Sequence, residues 1–197
     1  MSEQTTSSAT GQGGSRPIDP GARIGHVHLK VADVDRALDF YCGILGFELM
    51  QRWGADAAFI SAGGYHHHIG LNTWESRGAE PPPPGRTGLY HLAVLYPTRA
   101  ALADALRRLI AAGIPLDGAS DHGVSEALYL RDPDGNGVEL YRDRPEAAWP
   151  RTPEGGRAMF TRRLDLEGLL SEDGNEPQAV AHVPGDVRDP YTKSPRA

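Results

Sequence analysis

Two stretches of the chain, 23–74 and 89–146, carry the same order of sequence patterns, and this duplication restricts the possible folds more than any other feature. The first opens with "RIGHVHLKV", where Val27, Leu29 and Val31 alternate with His26, His28 and Lys30. Strict alternation predicts a strand with one apolar and one polar face. "DVDRALDFYCGILGF" follows with apolar residues at helical spacing, Asp33 placed to cap the start and Gly46 to stop it. Short strands are then predicted near 47–53, 56–62 and 66–73, separated by glycine turns. The second stretch repeats this order: strand "LYHLAVLY", helix "PTRAALADALRRLIAAGI" between Thr98 and Gly113, and strands near 115–119, 125–131 and 137–142. "DPDGNG" joins the last two, and it reads as a hairpin turn because the twelve-residue spacing of a calcium loop is absent. The period is about 65 residues. The fold class is therefore α+β, with two βαβββ units curling a mixed sheet around a central cavity.

Around and within this domain, 23–146, lie segments of other character. Residues 1–22 are rich in Gly, Ser and Thr and are expected to form a disordered leader. Four consecutive prolines make 75–88 a linker between the repeats, because proline is excluded from helix interiors and central strands. An extension, 147–197, offers one short helix at 164–172 and then a Pro- and Asp-rich mobile tail. No apolar run approaches the roughly 20 residues that cross a bilayer, and the first residues lack the apolar stretch of a secretion signal. The single cysteine, Cys42, excludes an intramolecular disulfide framework and fits a reducing compartment. A net charge of −6 argues against nucleic acid as a partner. A cytoplasmic, globular protein is expected.

If the apolar residues of each strand face the helices, the alternate residues face the cavity. These are His26 and His28 on the opening strand, His91 and Ala93 on its counterpart, and Glu139 and Tyr141 on the last strand. In "GGYHHHIGLNTW", Ile69 and Leu71 take the helix side, which turns His66 and His68 inward and His67 outward. Four strands in matching places thus offer His26, His68, His91 and Glu139 to one cavity. Two imidazoles and one carboxylate with open positions suit non-haem Fe(II). A fourth ligand at His68 would make Zn, Ni or Mn equally suitable.

"IGHVHLKVADVDRALDFYCGILGF" resembles the opening unit of the vicinal oxygen chelate superfamily, which includes glyoxalase I, bleomycin- and fosfomycin-resistance proteins and extradiol catechol dioxygenases. Taken with "GLYHLAVLYPTRAALADALRRL", "DHGVSEALYLRDPDGNGVELYRDRP" and "GGYHHHIGLNTW", the chain is similar to catechol-2,3-dioxygenase-like members over residues 23 to about 172. The resemblance implies iron ligands at His26, His91 and Glu139, and it is the resemblance that selects His26 over His28. It implies an acid/base tyrosine at Tyr129 and a second-shell histidine at His122. His28, His68 and Tyr141 are the expected substrate contacts.

The function this implies is an Fe(II)-dependent extradiol ring-cleaving dioxygenase, with a small catechol-like aromatic and O2 as substrates and a homodimer as the assembly. A glyoxalase-type metal-dependent lyase or isomerase is the alternative, favoured if His68 completes a four-ligand site. A non-catalytic small-molecule-binding resistance protein is the third reading, opposed by the intact ligand set. Extradiol enzymes of this kind usually carry two such domains, whereas one is present here.

Overall fold

The computed structural model describes residues 16–173. Residues 1–15 of the expected leader and the tail after 173 lie outside the described residues. The first unit comprises β1 (Val27–Lys30), α1 (Val34–Leu38) continuing into a π-helical turn (Asp39–Ile44), β2 (Glu48–Trp53), β3 (Ala57–Ser61) and β4 (Ile69–Asn72). The second comprises β5 (Leu92–Leu95), α2 (Arg99–Ala111), β6 (Gly118–Asp121), β7 (Ser125–Arg131) and β8 (Gly137–Asp143). After it come β9 (Arg162–Arg163) and α3 (Leu166–Leu170), the latter inside the stretch predicted as helical.

Both helices start at the predicted caps. The Asp33 carboxylate accepts from the Arg36 N–H, and the Thr98 hydroxyl accepts from the Ala101 N–H. Gly46 and Gly113 end the helical segments with φ of 87° and 68°. The first helix departs from the expected regular α-helix after one turn. Phe40 and Tyr41 are adjacent and both buried, and a widened π-turn lets two consecutive aromatic side chains face the core.

The strands form two mixed sheets rather than one continuous sheet. The first has the order β1-β4-β3-β2 and the second β5-β8-β7-β6-β9. In each unit the first strand runs parallel to the fourth, Val27 opposite Ile69 and Leu92 opposite Val138. A single apolar core joins the units: Val31, Ile60 and Leu71 of the first belong to the same buried cluster as Leu106, Leu128 and Leu140 of the second. Each fully buried side chain of this size contributes roughly 1.5–3 kcal/mol.

Polar contacts fix how the units meet. The "DPDGNG" turn is tied by Asp132, which accepts from the N–H groups of Asp134 and Asn136. The same carboxylate accepts the buried Tyr41 hydroxyl of the first unit at 3.0 Å. Asp134 accepts from the Ala32 N–H and pairs with Arg36, so the turn of one unit docks on the helix start of the other. A second hub is Glu126, only 4% exposed, which receives Arg99, Arg142 and Arg144. Pairing with this buried carboxylate draws the Arg142 side chain to 16% exposure. Arg99 also donates to the Gly168 carbonyl and Arg107 to that of Leu170, seating α3 against α2. No helix among the described residues is long and apolar enough to cross a membrane.

Candidate active site

The second sheet gathers four of the expected residues into one hydrogen-bonded chain. Val138 and Leu140 are buried on the helix side of β8, which turns Glu139 and Tyr141 to the opposite face. Tyr129 stands directly opposite Glu139 in the antiparallel β7–β8 ladder. Its hydroxyl donates to Glu139 Oε1 at 2.9 Å. The other carboxylate oxygen, Oε2, lies 2.9 Å from His91 Nε2. His122, in the turn between β6 and β7, brings Nε2 to 2.9 Å from the Tyr129 hydroxyl. Both His91 and Glu139 remain partly open to solvent, at 22% and 13% side-chain exposure.

A glycine makes this approach possible. Gly137 is opposite His91 in register, and a Cβ there would collide with the Tyr90 carbonyl oxygen and reach within 3.0 Å of His91 Cβ. Tyr141 lies two residues beyond Glu139 on the same face. Burial, and then the charges of Asp143 and Glu139, push its phenol pKa upward, so it serves as a neutral hydrogen-bonding group.

The first sheet presents its histidines differently from the expectation. His28 lies opposite Gly70, and its ring occupies the space where a Cβ at that position would sit, 2.9 Å away. Trp74 and Phe59 contact the same ring, with centroids 5.4 and 5.9 Å away. Burial, and then the neighbouring His26, lower the His28 pKa and favour the neutral imidazole. His26 precedes β1 and has its ring 4.4 Å from that of His67. His67 also meets Phe59, so it joins the His26 face instead of turning outward. Alternation fails there because β4 begins only at Ile69, and the preceding turn contains the positive-φ Gly63 and Gly64.

The register also revises the matching of the repeats. Ile69 corresponds to Val138, so Glu139 has Gly70 as its counterpart, and His68 corresponds to Gly137. His68 is exposed, with Nδ1 3.0 Å from Ser61 Oγ and accepting from the Ala62 N–H at 3.4 Å. His66 is exposed too, its Nδ1 2.8 Å from that of His67. In the second unit a small residue, Ala93, faces a long one, Glu139; in the first, the long residue is His28 and the small one Gly70. Gly70 and Gly137 are visible in "HHHIGLN" and "GNGVELY", but their importance lies in pairings the sequence does not display.

Among the described residues, no group of three or more His, Cys, Asp or Glu side chains is gathered to hold a metal ion. His91 and Glu139 are adjacent, whereas His26 sits on the other sheet beside His67. The donor types nonetheless fit a divalent ion: a partly exposed imidazole next to a carboxylate that already has an oriented hydrogen-bond donor.

Comparison with known proteins identifies the family. Residues 23–140 match the Glyoxalase/Bleomycin resistance protein/Dioxygenase superfamily. A protein of Bacillus subtilis (strain 168) named catechol-2,3-dioxygenase is 43% identical over 160 residues, covering 81% of this chain and 55% of that protein. Biphenyl-2,3-diol 1,2-dioxygenase 2 of Rhodococcus globerulus is 33% identical, covering 61% of this chain and 63% of its own length. The chain thus spans little more than half the length of these curated relatives. The crystal structure of a glyoxylase/bleomycin resistance protein/dioxygenase domain from Frankia sp. EAN1pec superposes with a TM-score of 0.53 at 26% identity, covering 62% of this chain and 98% of that one. The match over residues 23–140, on two βαβββ units that share one apolar core, makes the chain a member of the Glyoxalase/Bleomycin resistance protein/Dioxygenase superfamily.

Proposed function

We propose that the protein is an Fe(II)-dependent extradiol-type dioxygenase that opens the ring of a catechol-like aromatic. The observation that carries this reading is the continuous chain His91–Glu139–Tyr129–His122, which sets a tyrosine hydroxyl between a histidine and a carboxylate that itself meets an imidazole. Both dioxygenase relatives bear names that state action on a diol, one a catechol and one a biphenyl diol.

His26, His91 and Glu139 would hold the metal, two imidazoles and a carboxylate being the donor set suited to Fe(II) with open positions. Bound Fe(II) supplies redox capacity and open coordination positions for the catechol oxygens and O2. Around it the chain's own groups bind and move protons. Tyr129 takes or returns a proton at a substrate oxygen, relayed to or from His122 Nε2 across 2.9 Å. Tyr141 offers a neutral hydroxyl on the same face. His28, held neutral over Gly70 and flanked by Phe59 and Trp74, presents an imidazole and aromatic surface to the ring. His68, exposed and held through Nδ1 by Ser61 and the Ala62 N–H, would contact the substrate through its remaining ring nitrogen. The lone Cys42 and the exposed Leu49, Met50 and Trp53 of edge strand β2 support a cytoplasmic homodimer.

The glyoxalase-type lyase needs a fourth protein donor. The register puts Gly70 where that donor would stand, opposite in type to Glu139, and His68 is occupied by Ser61 and Ala62. This favours three ligands and the dioxygenase. Anaerobic loading with Fe(II), followed by oxygen uptake on a panel of substituted catechols, tests the reading. Uptake above the metal-free protein is expected with at least one catechol; none with any of them would remove it.

A further inference from the structure

The hydrogen-bonded chain does not stop at His122 Nε2. The second ring nitrogen, Nδ1, lies 3.1 Å from the backbone carbonyl oxygen of Phe160, with the Thr161 hydroxyl 3.3 Å away. Both groups come from the segment after the second repeat, just before β9. That segment is anchored. β9 pairs with β6 through Ser120–Arg163 and Asp121–Arg162, and the Phe160 N–H donates back to the His122 carbonyl at 3.3 Å. The Phe160 ring and Pro150 fill the space over Gly123, where a Cβ would come within 2.6 and 2.7 Å of them. The Arg162 guanidinium covers the same ring at 4.3 Å.

A carbonyl oxygen only accepts hydrogen bonds, so this contact requires the proton on Nδ1. A hydroxyl alone would have tolerated either tautomer. Histidine free in water prefers its proton on Nε2, so the neighbour imposes the less common form. We propose that the Phe160 carbonyl is a positioning group that locks His122 in the Nδ1–H tautomer and reserves Nε2 for the Tyr129 hydroxyl. Tyr129 carries one proton and has two acceptors at 2.9 Å, Glu139 Oε1 and His122 Nε2. With Nδ1 fixed, a neutral His122 offers Nε2 as a second acceptor that competes with Glu139 Oε1 for the phenol proton, whereas a doubly protonated one donates to Tyr129 and leaves that proton hydrogen-bonded to Glu139. The segment outside the duplicated domain thereby decides which nitrogen exchanges a proton. The catalytic use of this device rests on the acid/base role proposed above; the tautomer does not.

Long-range proton–nitrogen NMR correlations on nitrogen-15-labelled, full-length protein without added metal read the tautomer, with His122 assigned by signal loss in His122→Gln. The wild-type neutral ring is expected to show a protonated Nδ1 and a bare Nε2. Phe160→Ala removes the anchor over Gly123 and is expected to raise the Nε2–H population several-fold. Phe160→Leu, which refills that space, restores the wild-type pattern. An Nε2–H ring in the wild type overturns the proposal, whatever the variants do. So does an unchanged Nδ1–H ring in a folded Phe160→Ala/Thr161→Val double variant. Oxygen uptake measured alongside separates the two ideas: the expected tautomer without uptake on any catechol sinks the dioxygenase reading alone, and uptake with the wrong tautomer sinks the positioning role alone.

Discussion

The ring of His28 rests on the backbone of Gly70, 2.9 Å from where that glycine's Cβ would be, and the equivalent pair in the second unit is Ala93 and Glu139. The two units therefore share a backbone but exchange which strand carries the long side chain. In the second the carboxylate projects from the fourth strand. In the first that position is bare, and an imidazole from the first strand covers it.

Gly70→Ala should push the His28 ring from this seat. Inserting a methyl group into packed space costs about 1–3 kcal/mol, which a thermal melt would register. A displacement near 1 Å at a substrate-positioning group lowers turnover by about 10²-fold, with the His91–Glu139 pair left in place. Gly70→Glu goes further by adding a fourth donor. It is expected to raise retention of Zn or Ni relative to Fe(II), measured by metal analysis after competitive loading. Unaltered kinetics and metal preference in both variants would show that Gly70 does not border the site.

Gly137→Ala probes the other close approach. A Cβ would strike the Tyr90 carbonyl and crowd His91, so the β5–β8 edge must part. Fe(II) affinity is expected to fall by about 10–100-fold, the range seen when a ligand's orientation is disturbed. Equilibrium dialysis against a metal buffer measures it, and wild-type affinity would argue that His91 is not a ligand.

Tyr129→Phe removes one hydroxyl from the centre of the chain. Oxygen uptake should fall by about 10²–10⁴-fold, the usual span for general acid/base groups, while Fe(II) content stays near wild type. Equal losses of metal and activity would instead mark Tyr129 as support for Glu139.

These expectations depend on features legible to different degrees in the sequence. Alternation of Val27, Leu29 and Val31, and the caps Asp33 and Thr98, announced the repeated strand–helix starts, because strand period and capping are local. Glu139 was readable from alternation along β8, whereas Tyr129 came from the family resemblance, because β7 is buried on both faces and carries no alternating pattern. His67 and His68 were misread. Alternation was extended through a glycine turn that ends only at Ile69, and repeat matching by sequence separation missed the two-residue offset that pairing reveals. The break into two sheets and the Phe160 contact with His122 are long-range outcomes with no local signature.

Acid should weaken the fold through Glu126. Burial alone would raise its pKa, but hydrogen bonds and charge from Arg142 and Arg99 hold it below the ordinary carboxylate value. A depressed folded-state pKa contributes stability that is fully present above the unfolded value, near 4.3 for glutamate, and lost as pH falls through the folded value. Melting temperature is therefore expected to drop below about pH 5, and Glu126→Gln should flatten that drop. The same variant leaves arginines without their buried partner and should cost about 3–5 kcal/mol at neutral pH. An acid profile identical in the two proteins would assign the effect elsewhere.

The most direct measurement follows the oxygen itself. Fe(II)-loaded protein turns over a catechol under oxygen-18 gas, and mass spectrometry reads the product. Both labelled atoms are expected in one ring-opened molecule. A product carrying neither atom, or intact catechol after metal loading has been verified, would contradict the assignment as an extradiol-type dioxygenase.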